Sequence, residues 1–226
     1  EYVGVDEGRS RRAAGNVGGR GSSLKDHGGF MGSQRIQALL DQAVAEGVAP
    51  GLTASVAGPD GQDMHFAAGV RGVADPRPMA ADSVFWIASC TKAITSAAAL
   101  QLVERGVLDL DEPVGDRLPI LAAPQVLDGF DAAGAPRLRP ARRPLTLRAL
   151  LTHTSGLAYD FFHAGLGRHF AATGASLAET LTGTPLLVFD PGEDWQYGVG
   201  IDAAGWLVEA ASGQTLPAYF AEHLLG

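Results

Sequence analysis

Cysteine occurs once in this 226-residue chain, at position 90, so no internal disulfide can form and stability must come from a packed core. Apolar residues make up 46% of the sequence, enough for one large or two small domains. Long apolar runs are missing. The best stretch, Ala93 to Val103, is broken by Thr95, Ser96 and Gln101 and falls short of the ~18 residues a membrane span needs, so no membrane partner is expected. Positive charge is scarce as well: a net charge of −8 argues against nucleic-acid or anionic-membrane partners. The first thirty residues contain no continuous apolar segment of the secretory kind, and a cytoplasmic location is expected. Gly15, Gly18, Gly19 and Gly21 among Arg and Ser make residues 1–32 read as a disordered leader or flank, with the folded part starting near Met31-Gly32-Ser33. The six histidines show no metal-ligand spacing such as H-E-x-x-H, so no metal or cofactor is expected.

Lysine is the scarcest charged residue, with Lys25 and Lys92 set against fifteen arginines. An ordinary surface cation would here be Arg, which gives Lys92 its interest. It stands three residues after Ser89 in Phe85-Trp86-Ile87-Ala88-Ser89-Cys90-Thr91-Lys92, where an apolar run enters a helical pattern. A serine hydroxyl needs a base to become a nucleophile. An amine can lose its proton in a desolvated pocket, whereas a guanidinium cannot. If Ser89 opens a helix, positions i and i+3 share a face with Cβ atoms about 5–6 Å apart. The motif alone is weak, since roughly one S-x-x-K is expected by chance in a chain this long. Ser22 and Lys25 form such a decoy in the Gly- and Arg-rich flank. By itself the pair also fits a helix N-cap serine followed by a solvated lysine. Cys90 reads as a small buried filler under the helix.

Along the rest of the chain, Ser33 is a candidate N-cap for a helix with Ile36, Leu39, Leu40, Ala43 and Val44 on one face and Gly47 as its stop. Strands are expected over 52–57 and 63–68, joined by a turn at Pro59-Asp60-Gly61. A mostly apolar helix should run from Ser89 to Gly106 and leave through a loop at Leu108 to Pro113. Gly129 to Pro144, with Arg137, Arg139, Arg142 and Arg143, reads as a long solvated loop. Thr146 should cap a short helix ending at Leu151, and Ser176 with Glu179 forms a capping box. Further helices are expected from Ile201 to Gly213 and from Pro217 to Leu225.

Four segments in register resemble serine hydrolases of the class C beta-lactamase superfamily, most closely its family VIII carboxylesterase branch, over about residues 33–226. They are Phe85 to Lys92; Gln101 to Gly106 with Leu108-Asp109-Leu110-Asp111; Leu145 to Arg148 running into Leu150 to Leu157; and Pro191-Gly192 ahead of Trp195-x-Tyr197. The resemblance implies an α+β fold in which an antiparallel sheet flanked by helices carries an inserted all-helical domain. Residues 33–81 would then supply a helix and two strands, and 82–226 a mainly helical part bearing the catalytic residues. It implies Ser89 as acylated nucleophile, Lys92 as its proton acceptor and Tyr197 as the phenol sharing that proton. Either a neutral lysine or a tyrosinate beside a cation can act as base once its pKa is shifted. Trp195 and Val199 would line the substrate pocket. Val199 stands where lactamases and peptidases place Asn, so an ester is expected to suit the site better than an amide. Gly198 stands where serine is common, and Asp202 keeps step with Trp195 and Tyr197. The implied source is bacterial.

His153 invites a Ser-His-Asp reading, but the resemblance makes His153 to Gly156 a structural turn. The expected reaction is two-step hydrolysis of a short-chain, small-molecule ester without cofactor. The rivals are a beta-lactamase, a D-alanyl peptidase, or a penicillin-recognising scaffold that turns over nothing. A third motif of the superfamily, a Lys-Thr-Gly or Trp/His-x-Gly strand, is missing before Gly226. The expectation is therefore an N-terminal part of a longer protein, poorly soluble and almost inactive by itself.

Overall fold

The computed structural model describes residues 26–58, 63–178 and 183–226, with side chains from Gly32 onward. Two compact units divide between Phe85 and Trp86.

In the first unit, helix α1 (Asp26–Ala45) precedes strands β1 (Gly51–Ala57), β2 (Asp63–Gly72) and β3 (Asp75–Pro78). The helix passes through Ser33 instead of starting there; Gly28 and Gly29, poor helix formers, hide its first turns from a propensity reading. It stops at Gly47, whose φ of +74° suits glycine, with Gly47 N–H on Val44 O and Val48 N–H on Ala43 O. Ile36, Gln37, Leu40, Ala43 and Val44 make the inner face, and Gln37 donates to Ala67 O on β2 at 3.0 Å. Leu39, expected on that face, is exposed. The sheet is antiparallel in the order β1-β2-β3. β3 was not foreseen: Pro76 and Pro78 argue against a strand, and they are tolerated here because β3 lies at the edge and meets β2 across a register shift. The Pro59-Asp60-Gly61 turn lies outside the described residues.

In the second unit, a 3₁₀ turn at Ala88–Cys90 runs into α2 (Thr91–Glu104). Then follow the hairpin β4 (Gln125–Phe130) and β5 (Pro136–Pro140), α3 (Leu147–Leu151), α4 (Ala164–Thr173), β6 (Leu186–Leu187), α5 (Gly200–Ser212) and α6 (Leu216–His223). The hairpin corrects the expected loop at 129–144. Its prolines sit at the two ends of β5 and leave Val126 and Leu127 to pair with Arg139 and Leu138. β6 adds to β4 in parallel, Gln125 opposite Leu186. Thr146 does cap α3, accepting from Ala149 N–H at 3.2 Å. Glu179 of the proposed capping box lies outside the described residues.

The core of this unit forms where α2 crosses α5. Ala98, Ala99 and Leu102 meet the cluster containing Ala203, Ala204, Leu207 and Val208, and α3 adds Leu147 and Leu150. Small residues on both helices let the backbones approach, and each buried leucine contributes about 1.5–3 kcal/mol. Tyr219 of α6 closes this cluster.

Candidate active site

Ser89 sits in the 3₁₀ turn, one residue before the Cys90 cap of α2, so it does not itself open the α-helix. Lys92, three residues on and in the first turn of α2, comes to 3.4 Å from Ser89 between Nζ and Oγ. Ala88, immediately before the serine, is held at φ +44°. A left-handed alanine is strained, and such strain concentrates where a side chain must be aimed. Cys90 is exposed, not the buried filler expected: the tight turn swings it away from the core beneath α2.

Tyr197 reaches the same point from the loop between β6 and α5, its hydroxyl donating to Ser89 Oγ at 2.9 Å. Three backbone bonds stitch this loop to the turn after α3: Val188 N–H to Gly156 O at 2.9 Å, Gly192 N–H to Thr154 O at 2.8 Å, and Gln196 N–H to His153 O at 2.9 Å. At its root, buried Asp190 accepts from Arg139 at 2.6 and 3.0 Å and from the Arg142 amide at 2.7 Å. Arg139 thus belongs to an internal ion pair, contrary to the solvated reading of the arginine cluster. Gly198 has no space for a side chain: a Cβ would strike Leu157 O and lie 2.6 Å from Ala158 Cα, which explains why serine is not found there.

A further phenol, Tyr159, stands within 3.5 Å of Lys92 Nζ. Sequence reasoning passed over it. The available signal was one of only four tyrosines lying two residues past the His153-to-Leu157 motif. Lys92 also lies 5.1 Å from the Tyr197 ring centroid and 5.9 Å from that of Tyr159.

Burial is the largest influence on Lys92 and favours the neutral amine, but the Tyr197 and Tyr159 phenols together outweigh it and raise its pKa. Tyr197 moves the other way: the Ser89 hydroxyl first, and Lys92 second, hold its phenol below the ordinary value. Both shifts favour a charged Lys92 beside a Tyr197 phenol that releases its proton more readily than a free one.

Of the expected pocket residues, Trp195 is exposed at this face, its ring edge-on to His153 at 6.1 Å. Val199 is not: it is 4% exposed and packs in the core cluster, because α5 begins there and turns the side chain inward. His153 Nδ1 is buried with no partner among the described residues, so no carboxylate orients the ring and a Ser-His-Asp relay is not built. Among the described residues no group of three or more His, Cys, Asp or Glu is placed to hold a metal ion, and no helix is long and apolar enough to cross a membrane.

The profile of the family described as Beta-lactamase matches residues 36–226. The chain belongs to the beta-lactamase family. Its relatives in that family reach beyond the bacterial source implied by the sequence. Monacolin J acid methylbutanoyltransferase from the fungus Aspergillus terreus is 46% identical over 151 residues, covering 65% of this chain and 37% of that protein. Esterase EstB from Burkholderia gladioli is 38% identical over 199 residues, 81% of this chain and 46% of that protein. The solved structure of unliganded simvastatin synthase (LovD) from Aspergillus terreus superposes with a TM-score of 0.74 at 38% identity, covering 85% of this chain and 51% of that one. The fold is thus the α+β beta-lactamase-like one, and the chain spans between about a third and a half of the relatives' length.

Proposed function

We propose that this member of the beta-lactamase family hydrolyses small carboxylic esters through an acyl-Ser89 intermediate. The observation that carries the reading is the meeting of Tyr197 Oη, Ser89 Oγ and Lys92 Nζ at 2.9 and 3.4 Å. In the first step Ser89 Oγ bonds to the ester carbonyl carbon and its proton passes to the Tyr197 phenolate. The C–O bond to the alcohol then breaks, and the departing alkoxide takes that proton. In the second step water attacks the acyl carbon and gives a proton to Tyr197; the bond from that carbon to Ser89 Oγ then breaks, and Oγ takes the proton back from Tyr197, which restores the serine hydroxyl and the phenolate. Lys92, charged throughout, stabilises the phenolate, and the N-terminal end of α2 favours negative charge developing beside Ser89.

A second reading, transfer of the acyl group to an alcohol in place of water, is favoured by the methylbutanoyltransferase relative and by the surface around the serine. Phe161 and Phe162 are exposed there, ranged against Tyr159 and Tyr197 at ring distances of 4.9 and 6.0 Å. An apolar acceptor alcohol resting on these rings would compete with water.

The two separate in one assay. p-Nitrophenyl butyrate is turned over with and without an added apolar alcohol, and butyrate is weighed against butyryl ester. Hydrolysis predicts butyrate in both, acyl transfer predicts mostly ester with alcohol present. Turnover of a chromogenic cephalosporin in preference to the butyrate would overturn both.

A further inference from the structure

His153 carries features that acyl chemistry at Ser89 does not explain. It is one of two non-glycine residues among the described ones with positive φ, at +59°, in a region that His and Asn enter more readily than most. A buried nitrogen without a partner is a feature that native structures avoid unless something else fixes the group. What fixes the ring is aromatic contact. It lies 4.8 Å from the Tyr197 ring at a 44° tilt, and 6.1 Å from Trp195 at 73°. Its backbone carbonyl, in turn, receives the N–H of Gln196, the residue before Tyr197.

We propose that His153 is a positioning residue for Tyr197: its ring is the surface that holds the phenol at Ser89, and its left-handed backbone turns that ring into place. The proposal rests on the reading of Tyr197 as the proton carrier of Ser89. The charge state agrees with it. Burial first, and the Lys92 ammonium second, depress the imidazole pKa, so the ring packs against Tyr197 without adding a second cation beside Lys92. The ring acts by shape on one side of the phenol while Lys92 acts by charge.

The ring and the backbone can be tested apart. His153→Asn accepts the left-handed φ and keeps the carbonyl bond to Gln196 but removes the ring, and His153→Gly does the same with no side chain at all. The first readout is the ultraviolet titration of tyrosinate, assigned to Tyr197 by difference from Tyr197→Phe. With the ring gone, the phenol should drift from Ser89 and Lys92 and titrate closer to the ordinary value of about 10. The second is ester turnover, where kcat should fall about 10- to 100-fold with KM changed far less. Thermal unfolding should stay cooperative. A Tyr197 titration unchanged in both variants would overturn the proposal, as would the unfolding of both, which would make His153 a folding residue. If the unmutated protein neither cleaves esters nor labels with a fluorophosphonate, the functional reading fails while the phenol titration still decides the positioning one.

Discussion

In the proposed mechanism Tyr197 takes a proton from Ser89 while Lys92 stays charged beside it. Ester turnover should therefore rise with pH through the lowered pKa of Tyr197 and decline only above the raised pKa of Lys92. Lys92→Met removes one of the two main influences that depress the phenol. The acid limb of the pH–rate profile should move up, and turnover at neutral pH should fall about 10²- to 10⁴-fold; an unmoved limb would show that Lys92 does not tune Tyr197. Val199 gives the opposite kind of expectation. Placing Asn there puts an amide into the apolar cluster, so Val199→Asn should cost about 1–3 kcal/mol in a denaturant titration and leave cephalosporin turnover unchanged. At this scale scarcity and spacing drew attention to Lys92 and Ser89, while Tyr197 stood out only through the family resemblance. The inward turn of Val199 was not legible, since it depends on where α5 begins. Tyr159 was passed over despite its place near the His153-to-Leu157 motif, because its partner Lys92 is 67 residues away in sequence and only the fold brings them together.

The elements that hold Tyr197 are a short strand, a loop and a turn, tied by backbone bonds that no side-chain pattern announces. Gly198 is the tightest point of that assembly. Gly198→Ala must push Leu157 and Ala158 apart from the loop, at a cost of about 1–3 kcal/mol, and should move Tyr197 enough to cut turnover at least about tenfold. Wild-type turnover and an unchanged melting temperature would mean that the loop yields freely. Several helices were readable from apolar periodicity, capping residues and the glycines beyond their ends, as at Thr146 and Gly213, but α4 and the first turns of α1 were not. Strands β3 and β5 were not, because proline weighs against a strand and only the neighbouring strand shows that it falls at an end or an edge. The 3₁₀ turn at Ala88–Cys90, which carries Ser89 and the exposed Cys90, was equally hidden.

Within the second unit, Asp190 joins the hairpin to the loop that carries Tyr197. Arg139 and the Arg142 amide hold its carboxyl down at about 2, against an ordinary value near 3.9. A carboxylate with a depressed pKa adds stability above its unfolded value and loses it as the pH falls through the folded one. Acid unfolding should therefore draw on this group between roughly pH 4 and pH 2. Asp190→Asn leaves Arg139 facing an amide in a buried site and should cost about 3 kcal/mol by denaturant titration, with the acid dependence in that window reduced. The site residues Ser89, Lys92, His153, Tyr159 and Tyr197 all fall in this unit. The most direct test is the intact mass of the folded protein after reaction with a fluorophosphonate. One phosphonyl group per chain, mapped to Ser89 and absent from Ser89→Ala, is the predicted result; no adduct, or an adduct that survives Ser89→Ala, would contradict Ser89 as the nucleophile.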